Sequence, residues 1–203
     1  MKVCLMLKAP RPGFVKTRLA ADLGAAQARD GYLRLVDAQM RALPTDWETV
    51  IAFAPADAED EMREWLGASQ EFRPQCEGDL GRRLERVMQD LGGPLIFLGG
   101  DCPELTTERL REAAEALALH DVVIWPARDG GYCLLGLRTE CPEVFEGISW
   151  GTSEVFRETL ERIPGHLSLR VMAPPLEDVD DLPSWERALA RGSMRKPQES
   201  PPT

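Results

Sequence analysis

Short, continuous apolar runs, separated by longer stretches with helical periodicity, constrain this chain more than any other feature. The runs are Val3–Leu7, Thr49–Ala54, Pro94–Leu98, Asp121–Trp125, Tyr132–Leu137 and Leu167–Met172. Strands that read as unbroken apolar segments are buried on both faces. Between them, Tyr32, Leu33, Val36, Met40 and Leu43 recur at three and four residues, and Leu80, Leu84, Val87, Met88 and Leu91 form a second stripe. Apolar positions at that spacing line one face of a helix. Further helices are predicted over 57–66, opened by Asp57, over 106–117, capped by Thr106, over 152–163, capped by Thr152 or Ser153, and over 183–190. Strand–helix alternation of this kind predicts an α/β fold with a mostly parallel central sheet flanked by helices on both faces.

The chain has 203 residues, enough to bury a core without disulfide or metal staples. One domain is expected over residues 1–191, followed by a disordered tail over 192–203, where Ser, Lys, Pro and Gln dominate. With 24 basic and 34 acidic side chains the formal charge is −10. That sign repels a phosphate backbone and argues against nucleic acid as a partner. It leaves room for a small anionic ligand, because a local basic loop dominates its own surroundings. No apolar run approaches the ~20 residues of a membrane span, and Val3–Leu7 is too short for a secretory core. The five cysteines (Cys4, Cys76, Cys102, Cys133 and Cys141) are odd in number and lack CxxC spacing, so reduced thiols and a cytoplasmic location are expected. His120 and His166 stand far apart, which leaves little material for a histidine zinc site or a Ser-His-Asp triad.

In an open α/β sheet ligands bind beyond the C-terminal ends of the strands, so the loops that follow strands carry the search. The first, Lys8-Ala-Pro-Arg-Pro-Gly-Phe-Val-Lys-Thr-Arg18, concentrates four cations in an otherwise acidic chain. Lys8, Lys16 and Arg18 suit phosphate oxygens, and Gly13 lets backbone amides approach a ligand. The other reading is a solvated basic loop. It matches neither a Walker A loop nor a GxGxxG fingerprint. The second, Gly99-Gly100-Asp101-Cys102-Pro103, ends a strand on a carboxylate. Asp101 either holds Mg²⁺ against ligand phosphates or caps the following turn. The third is Glu177-Asp178-Val179-Asp180-Asp181, where alternation puts Asp178 and Asp180 on one side of an extended segment. Its alternative is an exposed acidic run ending in a helix cap at Asp181. Three weaker segments are a turn at Asp129-Gly130-Gly131-Tyr132, an aromatic at Trp150 before a helix start, and Gly78-Asp79-Leu80-Gly81, which either wraps a base or starts a helix.

In order along the chain, Lys8…Lys16-Thr-Arg-Leu, Gly78-Asp-Leu-Gly81, Gly100-Asp-Cys-Pro, Pro126-Ala-Arg-Asp-Gly-Gly-Tyr132, Trp150-Gly-Thr-Ser and Asp178-Val-Asp resemble the bacterial glycosyltransferase-like proteins of the nucleotide-diphospho-sugar transferase superfamily. Some of these are named arsenosugar-biosynthesis glycosyltransferases. The resemblance covers about residues 2–190. More distantly, the Lys-Thr-Arg loop and the Gly-Asp-x-Pro turn are similar to those of phospholactate and molybdenum-cofactor guanylyltransferases. The resemblance implies a glycosyltransferase-A fold and a transferase that uses a nucleotide-activated donor. It implies that Lys8, Gly13, Lys16, Arg18, Gly78, Gly81 and Gly100 bind the nucleotide or its phosphates. It also implies that Asp101 binds Mg²⁺ or Mn²⁺, with a second carboxylate from the Asp178-Val-Asp180 segment, Asp180 favoured over Asp178. Gly130, Gly131, Tyr132 and Trp150 form the acceptor side in this reading, and Asp129 is a candidate general base beside Asp101, Lys16 and Arg18. Sugar transfer from a nucleotide-diphospho-sugar to a small acceptor is the first expectation. Nucleotidyl transfer with release of pyrophosphate is the alternative, because Gly-Asp-Cys-Pro replaces the Asp-x-Asp of many glycosyltransferases. A non-catalytic nucleotide-binding protein is the third.

Overall fold

The structure, a computed structural model, describes residues 1–192. The tail expected from residue 192 lies, apart from Gly192, outside the described residues. Seven strands, β1 (Lys2–Lys8), β2 (Glu48–Ala54), β3 (Glu71–Pro74), β4 (Leu95–Leu98), β5 (Val122–Pro126), β6 (Tyr132–Leu137) and β7 (Leu169–Val171), form one sheet in the order β3-β2-β1-β4-β6-β5-β7. All pairings are parallel except those of β6, which runs antiparallel to both β4 and β5. The exception follows from connection length. Residues 127–131 are enough for a hairpin between β5 and β6 but not for the crossover that a parallel partner needs.

The helices are α1 (Thr17–Leu23), α2 (Ala25–Ala42), α3 (Glu59–Leu66), α4 (Leu80–Leu91), α5 (Thr107–Leu119), α6 (Val155–Arg162) and α7 (Leu182–Ala190), with a 3-10 turn at Pro142–Phe145. Strand period two distributes the apolar runs between two layers. Leu5, Leu7, Ile96, Leu98, Val123 and Trp125 face α2, α3 and α5, where Tyr32, Val36, Met62, Leu110 and Leu117 complete one core. Cys4, Leu95, Phe97, Val122 and Ile124 face the other way, onto Leu84, Val87 and Met88 of α4 and onto Phe145. A third cluster joins α1, α2 and α7 through Leu19, Leu35, Val179 and Trp185. Both sheet faces are covered, as the unbroken apolar runs require. Among the described residues no helix is long and apolar enough to cross a membrane. All five cysteines are free.

Several boundaries depart from the sequence reading. Asp57 does not open α3; that helix starts after Ala58 with three acids in its first turn, Glu59, Asp60 and Glu61, where the positive end of the helix dipole favours them. Asp57 instead faces Arg11 at 3.5 Å. Neither Thr152 nor Ser153 caps α6, whose first flanking residue is Glu154; the Thr152 hydroxyl accepts from the Glu154 amide at 3.2 Å one turn early. Thr106 does cap α5, accepting from the Arg109 amide. Helix α1 and strand β3 have no counterpart in the sequence reading, since each buries a single residue, Leu19 and Phe72, too few to set a period.

Candidate active site

Consecutive strands β1 and β2 lie side by side, whereas β4 has moved to the opposite edge of β1. The winding direction therefore reverses between β1 and β4, which opens a crevice beyond their C-terminal ends. Lys8 ends β1 and leads through the basic loop into α1, while β4 ends at Leu98 and leads into Gly99-Gly100-Asp101. Gly100 is pressed against the core. A Cβ there would lie 2.5 Å from Val36 Cγ2 and 2.9 Å from Leu7 Cδ2, so only glycine carries Asp101 this close over the sheet.

The third wall comes from the far end of the chain. The Trp125 indole donates to the Pro174 carbonyl at 2.8 Å, and the Leu176 amide donates to the Pro126 carbonyl at 3.0 Å. Glu177 is held by Arg187 at 2.7 Å and by Arg191 at 3.0 Å. The Val179 amide then donates to the Asp101 backbone carbonyl at 2.9 Å, and the Val179 side chain is buried among α1, α2 and α7. With Val179 inward, Asp178 and Asp180 turn the other way, half-buried, and both line one cavity, as alternation predicts. Asp181 closes the segment as the cap of α7, its side chain accepting from the Ser184 amide at 2.9 Å.

Lys16 is where these walls meet. Its Nζ lies 2.9 Å from Asp101 Oδ2 and 2.7 Å from Asp180 Oδ1, with the side chain 4% exposed. Burial is the largest influence on its proton and favours the neutral amine, but the two carboxylates together outweigh it and raise the pKa above the ordinary lysine value. Lys16 is also the one described non-glycine residue at positive φ, with φ 49° and ψ 48°. A left-handed conformation costs an ordinary L-residue ~1–2 kcal/mol, so the ion-paired side chain is held at the expense of local backbone strain. Arg18, two residues on, reaches Asp180 at 3.7 Å and is mostly exposed.

Tyr32 of α2 fixes the start of this loop. Its hydroxyl accepts from the Lys8 amide at 3.0 Å and donates to the Lys8 carbonyl at 3.1 Å. Burial, reinforced by the charge of Asp101, pushes the phenol pKa well up, so it stays neutral. Tyr32→Phe is expected to cost ~1–2 kcal/mol, because it removes the partner of two part-buried backbone groups of Lys8. Chemical denaturation checks this, and an unchanged midpoint would show that water replaces the hydroxyl.

Two adjoining cavities result. The first, ≈ 290 Å³, is lined by Lys8, Val15, Lys16, Arg18, Tyr32, Asp101 and Asp180 among others. The second, ≈ 190 Å³, shares Arg18 and Asp180 and adds Arg128, Asp129, Asp178, Ser184 and Arg187. Asp178 is the perturbed carboxyl here. Burial first, then the charges of Asp129 and Asp180, raise its pKa from 3.8 to about 6.

The structure thus brings Lys8, Lys16, Arg18, Asp101 and Asp180 around one cavity, with Asp129 and Asp178 around its neighbour. Gly13 sits in the exposed loop before Lys16. Gly130, at φ 93°, lets the hairpin turn lie against Ser153, whose carbonyl would be 2.1 Å from any added Cβ. The Gly131 amide donates to Asp129 Oδ1 at 2.9 Å, which fixes that carboxylate. Tyr132 and Trp150 line neither cavity. They meet edge-to-face at 6.5 Å and pack against the core on the α4 side. Gly78 and Gly81 also lie away from the cavities; Asp79 caps α4, and Gly81 admits the Trp150 indole. From sequence alone Tyr32, Arg128 and Arg187 have no part in the site: Tyr32 belongs to a helical stripe and reads as core, Arg128 stands in the Pro126–Tyr132 motif without a role of its own, and Arg187 carries no spacing signal.

Among the described residues no set of three or more His, Cys, Asp or Glu side chains is arranged to hold a metal ion. Asp101 and Asp180 nevertheless direct one oxygen each at a shared point, and paired hard oxygens suit Mg²⁺, which takes one or two carboxylates and completes its shell with water and phosphate.

A family model described as "Uncharacterized protein conserved in bacteria (DUF2064)" matches residues 38–152, more than half of the chain. The chain belongs to the DUF2064 family. The matched stretch includes Asp101 and Asp129 but neither Lys16 nor Asp180. No curated protein matches the sequence. Among solved structures, a protein of Desulfovibrio desulfuricans G20 with the provisional name nucleotide-diphospho-sugar transferase is 34% identical, at TM-score 0.81, over 89% of this chain and 82% of its own. Two more distant ones share the fold. They are 4-diphosphocytidyl-2C-methyl-D-erythritol synthase from Anaerococcus prevotii (12% identity, TM-score 0.56, 93% of this chain and 97% of its own) and molybdopterin-guanine dinucleotide biosynthesis protein A from Archaeoglobus fulgidus (14%, 0.58, 95% and 99%). The DUF2064 chain therefore has the nucleotide-diphospho-sugar transferase fold that the motif order implies.

Proposed function

We propose that this DUF2064 protein is a metal-dependent transferase acting on a nucleotide-activated donor, with a nucleotide-diphospho-sugar as donor and a small molecule as acceptor. The observation that carries the reading is the convergence of Lys16, Arg18, Asp101 and Asp180 on one polar cavity at the sheet's switch point. The 34% identity to the D. desulfuricans protein and its name support the choice of donor. Asp101 and Asp180 are the residues that would hold Mg²⁺ or Mn²⁺; Asp178 belongs to the neighbouring cavity. Bound there, the ion would neutralise diphosphate oxygens and stabilise the departing nucleoside diphosphate.

The protein's own groups supply the rest. Lys8, Lys16 and Arg18 line the cavity with fixed positive charge where the leaving group gains negative charge. The second cavity, which shares Arg18 and Asp180 with the first, holds the acceptor. Asp129, fixed by the Gly131 amide, stands there to accept the acceptor's proton in a step that also places its oxygen in line. A second reading, nucleotidyl transfer from a nucleoside triphosphate, is favoured by the single Asp of Gly100-Asp101-Cys102-Pro103 and by the synthase and biosynthesis proteins among the fold's members.

Thermal melting with nucleoside triphosphates and nucleotide-diphospho-sugars, each with and without Mg²⁺, separates the readings. A ligand at 100 times its Kd adds ~2.7 kcal/mol of stability. Metal-dependent stabilisation selective for nucleotide-sugars is expected; response to triphosphates with pyrophosphate release would establish the second reading, and no response in any arm would remove both.

A further inference from the structure

We infer that Lys16 is a built-in stand-in for the metal ion, so that the carboxylate pair takes up a divalent cation only together with a phosphate-bearing ligand. The inference rests on the nucleotide-phosphate reading above and adds an order of binding to it. Three observations carry it. The ammonium is within hydrogen-bond distance of one oxygen from each carboxylate, 2.9 Å from Asp101 and 2.7 Å from Asp180. It is almost entirely withdrawn from solvent, whereas the carboxylates are more than a third exposed. And the backbone beneath it is left-handed, φ 49°, a conformation uncommon for lysine, so this seat is built into the loop at a cost.

An ammonium and a divalent ion cannot share those two oxygens. Each neutralises the charge that attracts the other, and two cations within ~4 Å repel strongly where water is scarce. A divalent ion arriving alone must displace a buried ammonium and leave it without a partner, which is the most unfavourable outcome for a buried charge. A phosphate or diphosphate in the adjoining cavity changes this. It offers Lys16 an anionic partner beside Lys8 and Arg18 and frees both carboxylates. Metal and phosphate ligand then bind with positive coupling, and linkage makes the coupling the same in both directions. The protein avoids holding a metal with no substrate, and the ammonium offsets part of the charge of the two carboxylates while the site waits.

The test uses Mn²⁺ as the probe, counted by the electron paramagnetic resonance signal of the free ion, with no nucleotide present. Lys16→Met and Lys16→Asn are compared with the wild type; asparagine tolerates the left-handed backbone. Circular dichroism confirms folding. Each variant is expected to gain one Mn²⁺ site at least tenfold tighter than in the wild type, and the gain should vanish when Asp180→Asn is added. Equal Mn²⁺ affinity in wild type and folded variants overturns the inference. A second measurement on the wild type alone covers variants that do not fold. Thermal melting with Mn²⁺, with a nucleoside diphosphate, and with both should show a shift for the pair well beyond the two single shifts combined; a nucleoside diphosphate that shifts the midpoint alone but adds nothing beyond the sum of the single shifts when Mn²⁺ is present overturns it. Failure of the nucleotide reading looks different. Nucleoside diphosphates would then shift nothing in any arm, while the variants' gain in Mn²⁺ would still report on the carboxylate pair.

Discussion

Asp101→Asn should abolish metal-dependent nucleotide binding while leaving the fold in place. Asparagine keeps the size and shape of aspartate, and the backbone bond from the Val179 amide to the residue-101 carbonyl does not involve the side chain. Lys16 keeps Asp180 as its partner at 2.7 Å and gains a neutral amide oxygen in place of the other carboxylate, so no buried charge is stranded. What disappears is half of the negative charge at the point where both carboxylates converge. With one carboxylate left, a divalent ion is held far more weakly, and the ~2.7 kcal/mol of stabilisation expected from a ligand at 100 times its Kd should shrink to whatever the metal-free ligand supplies. Turnover should fall ~10²–10³-fold, the scale of losing one preorganised electrostatic contact to the reacting group. Melting curves with nucleotide, with and without Mg²⁺, decide the point: a metal-dependent shift that survives in Asp101→Asn removes Asp101 from the metal site.

The architecture was legible because its causes are local. Unbroken apolar runs such as Val122–Pro126, buried throughout, signal a strand covered on both faces, and stripes such as Leu84, Val87 and Met88 signal the helices that cover it. The elements that went unread have weak local causes. Helix α1 has one buried residue, Leu19, and starts from a strained lysine without a side-chain cap. It exists because α2 and α7 pack on it, and nothing in seven residues announces that. The same division holds for the site. Lys16, Asp101 and Asp180 stood out as types in unusual loops, but their meeting depends on the Val179 amide bonding to the Asp101 carbonyl across 78 positions of sequence, a long-range pairing that no spacing rule encodes. Tyr132 and Trp150 show the converse. As aromatics next to glycine turns they resemble a stacking platform, yet a tight approach of Gly81 to the Trp150 indole turns the pair inward against the core. Aromatic residues are large enough that burial usually decides their position first.

Asp178→Asn should make the protein more stable at neutral and alkaline pH and change little in acid. The Asp178 carboxyl is largely buried and faces the charges of Asp129 and Asp180, which together lift its pKa from 3.8 to about 6, with Lys16 pulling weakly the other way. A carboxyl raised in the native state binds its proton more tightly there than in the unfolded chain. Between pH 3.8 and about 6 the native state therefore holds more protons, and stability falls as pH rises through that window. Below 3.8 the group is protonated in both states and contributes no penalty; above about 6 it is ionised in both and the full penalty applies. At ~1.4 kcal/mol for each tenfold change in proton affinity, that penalty is ~3 kcal/mol. Asparagine never ionises, so the variant should gain on the order of 2–3 kcal/mol at pH 8 and only about half a kcal/mol at pH 4, with the difference growing mostly between them. Urea denaturation at several pH values measures it, and a gain that is the same at pH 4 and pH 8 would show that packing, not charge, is responsible. The stabilised variant should also be the poorer catalyst, for a reason independent of the metal. Three carboxylates lining the second cavity are costly in the empty protein, and a site that gives up native-state stability to neighbouring like charges does so where a substrate is meant to relieve them.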